Sequence, residues 1–307
     1  MYGKAIWKVM LFVSPVLALL IAAEVYCRTH IAAVTRMAYV QKHAATIEIL
    51  ILGDSHAQDA IDPAALGNPA ATLALGGQPL HVDQLLLLRV IGKLPRLRTV
   101  VIEVSPHRFY YDLQPDSWNT NMYHALYGID YMSPGAALAH HSLVAADTRQ
   151  CLMLFFHSFA GHGLPASISR LGFMWVDTGT RFSHLHYDTA RIDTSFHMKH
   201  TFRAADGPAI NLQRLQGIIE LCQGRGVNIV LVCAPVYRTY LRQLPPSARA
   251  RVSRALSDMA AKYHLRYIDH LTDTTYAVHH FRDDDHLNAT GAARFTAMLR
   301  EEMELNR

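Results

Sequence analysis

Residues 47–56 read Ile47-Glu48-Ile49-Leu50-Ile51-Leu52-Gly53-Asp54-Ser55-His56, an apolar run followed by a short polar turn. A short apolar run that stops at a glycine reads as a strand buried on both faces. Ser55 then falls in the turn at the strand's carboxyl end, where open α/β sheets place their ligand crevices. A serine there can point its hydroxyl into the crevice beside backbone N–H groups. The bland alternative is a Ser/Asp helix cap, so Ser55 needs support from elsewhere in the chain.

Outward from this stretch the same rhythm continues. Residues 71–75 read as a second strand, ended by Gly76-Gly77, and residues 80–94 as a leucine-rich helix stopped by Pro95. Residues 99–104 are a β-branched third strand that runs into Ser105-Pro106. Further on come helix 211–224, strand 227–232, helix 247–264, strand 265–268 and helix 290–305. Strands alternating with helices predict a parallel sheet covered on both faces. Between the third and fourth strands the rhythm breaks for about a hundred residues, far beyond an ordinary loop. That stretch is rich in Tyr, Trp, Phe and His, and reads as an insertion or cap, 107–208, with helices of its own.

At the amino terminus, Val9 to Ala23 contains no charged residue, and only Lys8 and Glu24 interrupt a longer apolar run from Ala5 to Cys27. A membrane span needs about 20 residues, and Trp7 and Tyr26 flank the run as interfacial residues do. No Ala-x-Ala cleavage site follows it, so residues 1–27 read as an uncleaved membrane anchor, with a cleaved signal peptide as the alternative. Residues 28–46 read as a helical stalk, and residues 47–307 as one domain. Lys4 and Lys8 before the run nearly balance Arg28, Arg36 and Lys42 after it, so charge does not fix orientation. An anchor so close to the start places the main domain outside the cytoplasm.

The 307 residues carry 29 Lys+Arg against 25 Asp+Glu, a net charge of +4. That is too mild for a nucleic-acid binder, and 50% hydrophobic residues exclude a disordered chain. Four scattered cysteines, Cys27, Cys151, Cys222 and Cys233, make neither a disulfide scaffold nor a zinc ribbon. Cys222 and Cys233 read as core residues on a helix and a strand.

Support for Ser55 lies near the other end, in Phe281-Arg282-Asp283-Asp284-Asp285-His286-Leu287-Asn288. His286 falls in a loop between the last strand and the last helix. An acid three residues earlier can fold back onto one ring nitrogen and leave the other free to take a proton from a serine. Ser55 needs such a base, because a hydroxyl is unreactive at neutral pH. Asp283 has that spacing; Asp284 is the alternative acid; Asp285 is expected to lie too close to fold back.

Gly53-Asp54-Ser55, Gly76-Gly77 and Asp283-x-x-His286 together resemble the blocks of the GDSL/SGNH hydrolase superfamily, over roughly residues 47–106 and 209–305. The resemblance implies a flavodoxin-like three-layer α/β/α fold and serine acyl chemistry on ester bonds. It implies Ser55 as nucleophile, His286 as base and Asp283 as orienting acid. The backbone N–H groups of Ser55 and Gly77 match two oxyanion donors. One feature departs from the family: its third block supplies an asparagine, where this chain reads Glu103-Val104-Ser105-Pro106-His107. Ser105, His107 and Gln78 are the candidates for a replacement donor.

The anchor, the Gly-Asp-Ser-His turn, the Val-Ser-Pro ending and the closing Asp-Asp-Asp-His-Leu-Asn resemble membrane-anchored SGNH-like proteins of bacterial cell envelopes. Relatives of that kind include the alginate O-acetylation proteins and the D-alanyl-lipoteichoic acid transfer protein. That resemblance implies an acyl ester substrate, such as acetylated envelope polysaccharide, and a membrane-bound O-acyltransferase as partner. No cofactor, metal or nucleic acid is implied. The alternative function is a binding or scaffold protein on a catalytically decayed SGNH fold, since fold does not guarantee activity. A phosphate-binding protein is excluded, because neither a Gly-x-x-x-x-Gly-Lys loop nor a Gly-x-Gly-x-x-Gly turn is present.

Other signals have bland readings. The Asp-rich run lacks the glycine and glutamate of an EF-hand. Asn288-Ala289-Thr290 matches a glycosylation sequon but is better placed as a helix cap. His184-x-His186 with His197-x-x-His200 makes a poor metal set, and the pairs His140-His141 and His279-His280 read as surface. Trp118, Tyr123, Tyr127, Tyr131, Trp175 and Phe182 read as insertion core, with a sugar-stacking groove as the alternative.

Overall fold

The computed structural model describes residues 2–113 (side chains from Ile6), 117–129, 141–159, 173, 180–195 and 208–304. The helices, in chain order, are α1 (Tyr2–His30), α2 (Ala32–Lys42), α3 (Ser55–Ala60), α4 (Leu80–Val90), α5 (Trp118–Tyr127), α6 (Leu143–Ala146) and α7 (Thr148–Phe159). They continue with α8 (Arg181–His184), α9 (Thr189–Thr194), α10 (Ala209–Gln223), α11 (Arg238–Gln243), α12 (Pro246–Tyr263) and α13 (Ala289–Glu304). The strands are β1 (Ile49–Leu52), β2 (Ala70–Thr72), β3 (Thr99–Glu103), β4 (Asn228–Cys233) and β5 (Arg266–Asp269).

The chain divides into two compact units, Met1–Thr35 with Leu113–Ala166, and Arg36–Asp112 with Ser167–Arg307. The second holds a five-stranded sheet in the order β2-β1-β3-β4-β5. Every pairing is parallel, with Leu50 opposite Ala71 on one side and Val100 on the other. This is the doubly wound, flavodoxin-like order, whose strand order reverses at β1 and β3. Successive side chains of a strand face opposite sides, so a strand covered on both faces must be apolar throughout. Ile49-Leu50-Ile51-Leu52 satisfies this and is buried at all four positions. Ile49, Ile51, Val101, Val230, Val232 and Ile268 form one core with Ala57 of α3 and Phe295 and Leu299 of α13. Leu50, Val100, Ile102 and Leu231 on the opposite face are fully buried as well; α10 packs on β4 and against α4.

All five expected strands are present, within one to three residues of the expected ends. The helix expected over 80–94 stops at Val90 and closes as a 3₁₀ turn over Ile91–Lys93. Pro95 bars any continuation beyond this turn, since a proline pushes the residue before it out of the α region, and Leu94 has a φ of −108° and a ψ of 79°. Cys222 and Cys233 are fully buried.

The first unit is built on α1. Its segment Ile6–His30 is long and apolar enough to cross a membrane, and side chains such as Trp7, Phe12 and Val16 are exposed along it. The helix runs past Cys27 to His30, and α2 follows almost at once. The carboxylate of Glu24 accepts from the backbone N–H groups of Leu143 (3.2 Å) and Val144 (2.8 Å) at the start of α6, and from the Ser142 hydroxyl. Arg28 completes its shell at 2.6 Å. Glu24 thus serves as an external N-terminal cap, satisfying N–H groups that α6 itself leaves open.

Candidate active site

The site is assembled at the carboxyl ends of β1, β2 and β3 and in the loop before α13. After β1 the chain must turn sharply beneath β3. Gly53 has a φ of +150°, and a Cβ there would stand 2.6 Å from that of Ala57 and 2.8 Å from that of Glu103. Only glycine fits. Asp54 then caps α3, its Oδ1 accepting from the N–H of His56 at 2.9 Å. Ser55 is the first residue of that helix, so its N–H has no intrahelical partner. After β2, Gly77 takes the left-handed region with a φ of +70°. A Cβ on Gly76 would stand 3.9 Å from that of Ser55, so the two loops adjoin.

The loop before α13 is held by an Asx turn. Asp283 Oδ1 accepts from the backbone N–H groups of Asp285 (3.2 Å) and His286 (2.9 Å). The same oxygen lies 2.8 Å from His286 Nδ1, and His286 Nε2 lies 2.8 Å from Ser55 Oγ. Ser55, His286 and Asp283 are therefore brought into one hydrogen-bonded line from positions up to 231 residues apart. Asn288 caps α13, its side-chain oxygen accepting from the Gly291 N–H at 3.0 Å, and the residue is buried.

The alternative acid turns elsewhere. Asp284 accepts from the Thr239 hydroxyl and pairs with Arg181. Asp285 corrects the expectation from sequence. Its Oδ1 lies 3.3 Å from His286 Nδ1, and its Oδ2 lies 3.9 Å from His56 Nε2. The Asx turn bends the backbone enough for the adjacent carboxylate to reach the ring. Burial alone would lower the His286 imidazole, but the carboxylates of Asp285 and Asp283 outweigh it and raise it above the ordinary histidine range. Burial acts to raise Asp283, and the facing His286 overcomes it and holds the carboxyl low.

The three candidates for a replacement oxyanion donor are all buried and engaged with other groups. Ser105 donates its N–H to Glu103 Oε1 at 2.8 Å, and its hydroxyl meets His56 Nδ1 at 3.3 Å. His107 places Nε2 2.6 Å from Asp54 Oδ2 and Nδ1 3.4 Å from the Tyr240 hydroxyl. Gln78 donates to the Leu73 carbonyl (3.1 Å) and to Asp83 (2.6 Å). All three belong to a buried polar layer that adjoins His286 through His56, the two rings lying 5.3 Å apart.

Arg108 is the centre of that layer. Its fully buried guanidinium pairs with Asp83, reaches Asp54 and Glu103 at 3.8 Å, and donates to the carbonyls of Glu103 and Gln78. It thereby ties together the loops after β1, β2 and β3. Burial pushes the Glu103 carboxyl up to about 7, helped by Asp54 and opposed by His56 and Arg108. Burial also works to raise Asp54, but His107, His56 and Arg108 hold it well below the carboxylate range. Sequence reading did not single out Arg108, Asp83 or His56. The available signal was a charged residue inside an apolar run, as Asp83 is in Leu80–Val90 and Glu103 in Thr99–Glu103.

His56, Asp285 and His286 are the one group among the described residues whose ligand atoms fall within 4.8 Å of one another. Both ring nitrogens of His286 are engaged, by Ser55 and by the acids, so a metal there would displace those contacts. His184 and His186 are exposed, and His197 and His200 lie outside the described residues. His141 and His279 are exposed, His280 is half-buried, and His140 lies outside the described residues. Tyr123 and Phe182 are core residues, Phe182 packing edge-on to Tyr237 at 5.2 Å. Trp118 and Tyr127 are half-buried, and Tyr131 and Trp175 lie outside the described residues.

No protein-family model matches the chain, and no curated protein matches it in sequence. Among solved structures it is similar to one described as an acylhydrolase from Bacteroides fragilis, with 10% identity over 91% of this chain and 100% of that one, at a TM-score of 0.45. It is also similar to the lipase/acylhydrolase from Enterococcus faecalis, with 12% identity over 84% and 95% of the two chains, at a TM-score of 0.41.

Proposed function

We propose that this protein is a serine enzyme of acyl esters, of the GDSL/SGNH type, working by an acyl-enzyme. The observation that carries the reading is the line Ser55 Oγ, His286 Nε2, His286 Nδ1, Asp283 Oδ1, with both gaps at 2.8 Å. Ser55 Oγ attacks the acyl carbon while His286 Nε2 takes its proton, and Asp283 holds the imidazole in the tautomer that accepts there. The oxyanion forms against the N–H groups of Ser55 and Gly77. As the ester C–O bond breaks, the leaving oxygen takes the proton from His286. Water or a sugar hydroxyl then attacks the acyl-serine, its proton passing to His286; the bond between the acyl carbon and Ser55 Oγ breaks, and Oγ takes that proton back.

The substrate class we favour is an acetylated polymer of the bacterial cell envelope, with a membrane-bound O-acyltransferase as partner. In this reading α1 anchors the chain and the main domain lies outside the cytoplasm. The domain division follows the same reading: anchor 1–27, stalk 28–46, and an SGNH-like domain 47–307 with the insertion 107–208. Support for the substrate and location is the sequence resemblance together with the apolar α1. A fluorophosphonate probe tests the enzyme reading: it labels the wild type and fails on Ser55→Ala and His286→Ala. Absence of labelling at every pH from 5 to 10 would sink it. Release of acetate from p-nitrophenyl acetate, compared with transfer to an oligosaccharide acceptor, separates hydrolase from transferase.

One observation favours a second reading, a scaffold on a decayed fold. Ser105, His107 and Gln78 all direct their donors into the polar layer. Losing one oxyanion donor costs about 10²–10³ in rate, which slows a triad without abolishing it.

A further inference from the structure

The helix α7 carries a run that the catalytic reading does not use: Cys151-Leu152-Met153-Leu154-Phe155-Phe156-His157-Ser158-Phe159. Met153, Phe156 and Phe159 are exposed, Phe159 to 73%. A contiguous exposed apolar face marks an interaction surface, and its neighbours identify the partner. The helix packs against α1 in the same unit. The Cys27 thiol faces the Cys151 carbonyl at 3.9 Å, and the Tyr26 and Phe155 rings meet edge-on at 5.8 Å. Phe155 in turn contacts Phe156 at 5.6 Å and Phe159 at 4.9 Å. One aromatic patch therefore begins on the apolar segment of α1, where Ile21 and Val25 are also exposed, and continues along α7.

The polarity of the two helices changes at the same place. On α1 the apolar run ends at Cys27, and Arg28, Thr29 and His30 follow; on α7 Thr148, Arg149 and Gln150 precede Cys151, and the apolar run follows. Cys27 and Cys151 are in contact, so the water-to-apolar boundary is shared. The run contains no acidic residue. With 12 residues, α7 is too short to cross about 30 Å of hydrocarbon, and segments of that length are interfacial or re-entrant.

From the shared boundary and the continuous aromatic patch we infer that α7 dips into the lipid bilayer beside α1, its partner being the acyl-chain and headgroup region. The inference rests on the reading of α1 as a membrane span. The first unit is thereby held to the membrane at two places, α1 and α7.

The test uses full-length protein reconstituted alone in phosphatidylcholine vesicles. An environment-sensitive fluorophore is attached at Phe156→Cys, at Phe159→Cys and, as the anchor reference, at Phe12→Cys. The four native cysteines are buried, and the unlabelled background is read on the wild type. Expected is several-fold weaker quenching by aqueous iodide at 156 and 159 than for the same dye on glutathione, with strong quenching by nitroxide-bearing lipids. Iodide access at 156 and 159 with protection at 12 overturns the inference and leaves the anchor standing. Iodide access at all three positions overturns the anchor reading and the inference with it. Protection from iodide without nitroxide quenching means a second protein copy covers the patch, and overturns the lipid assignment.

Discussion

Asp54 Oδ2 lies 2.6 Å from Nε2 of His107, while Oδ1 of the same carboxylate accepts the backbone N–H of His56. One side chain thus caps the helix that begins at Ser55 and is itself held by a residue from the turn after β3. His107 stands in the stretch where the resemblance leads one to expect an asparagine, and its contact is to the turn that carries Ser55. His107→Leu is expected to leave Asp54 Oδ2 without its 2.6 Å hydrogen-bond partner, faced only by the more distant Arg108 at 3.8 Å. Losing a hydrogen bond to a buried charged group costs about 1.5–3 kcal/mol, and a displaced nucleophile can cost about 10² in rate. The check is the rate of fluorophosphonate labelling beside the thermal unfolding midpoint. His107→Gln, which keeps a donor, should recover part of both, and an unchanged labelling rate in His107→Leu would show that the turn holds without it.

The three consecutive aspartates are expected to separate cleanly by readout. Asp283→Asn presents an amide to His286 Nδ1 and stabilises the wrong tautomer, for which a triad loses about 10⁴ in rate. Asp284→Asn weakens the contacts to Arg181 and Thr239 and should lower the unfolding midpoint while leaving the labelling rate within a few-fold. If Asp284→Asn instead matched Asp283→Asn in rate loss, the orienting acid would be misassigned.

Much of this was legible because two constraints act locally. A strand covered on both faces must be apolar throughout, which exposes β1 as Ile49–Leu52, and the turn after it leaves no room for a Cβ, which marks Gly53. Asp283 and His286 were legible because an Asx turn closes within three residues. The reach of Asp285 was not, since it depends on how far that turn bends the backbone. The polar layer was not legible either. Arg108 meets Asp54 and Asp83 only because parallel pairing brings the segments after β1 and β2 beside the turn after β3, and nothing in the local sequence around Arg108 reports that pairing.

Arg108 gives a stability prediction with little dependence on chemistry. Breaking a buried ion pair by removing one partner costs about 3–5 kcal/mol, because the remaining charge stays buried. Arg108→Met keeps the stem and removes the charge that Asp83, Glu103 and Asp54 share. The expected loss is of that size, read from denaturant unfolding in detergent, with Asp83→Asn in the same background recovering part of it. Additive losses in the double variant would show that the two residues do not act as a pair.

The pH dependence follows from the two acids beside His286. A general base works only when neutral, and the carboxylates of Asp285 and Asp283 favour the imidazolium. Labelling of Ser55 should therefore rise with pH along a limb above the ordinary histidine value of about 6.5. The sign for Asp285→Asn is fixed by the same argument. Removing a negative neighbour favours the neutral ring, so the limb moves to lower pH and labelling near neutrality increases, provided Asp283 still orients the ring. The opposite sign holds for folding: a histidine raised in the native state contributes stability at low pH that is lost as pH rises through its native value. Asp285→Asn should accordingly lose stability most below neutrality. Labelling rates of wild type and variant across pH 5 to 10 decide the matter, and an unmoved limb would remove Asp285 from the electrostatics of the base.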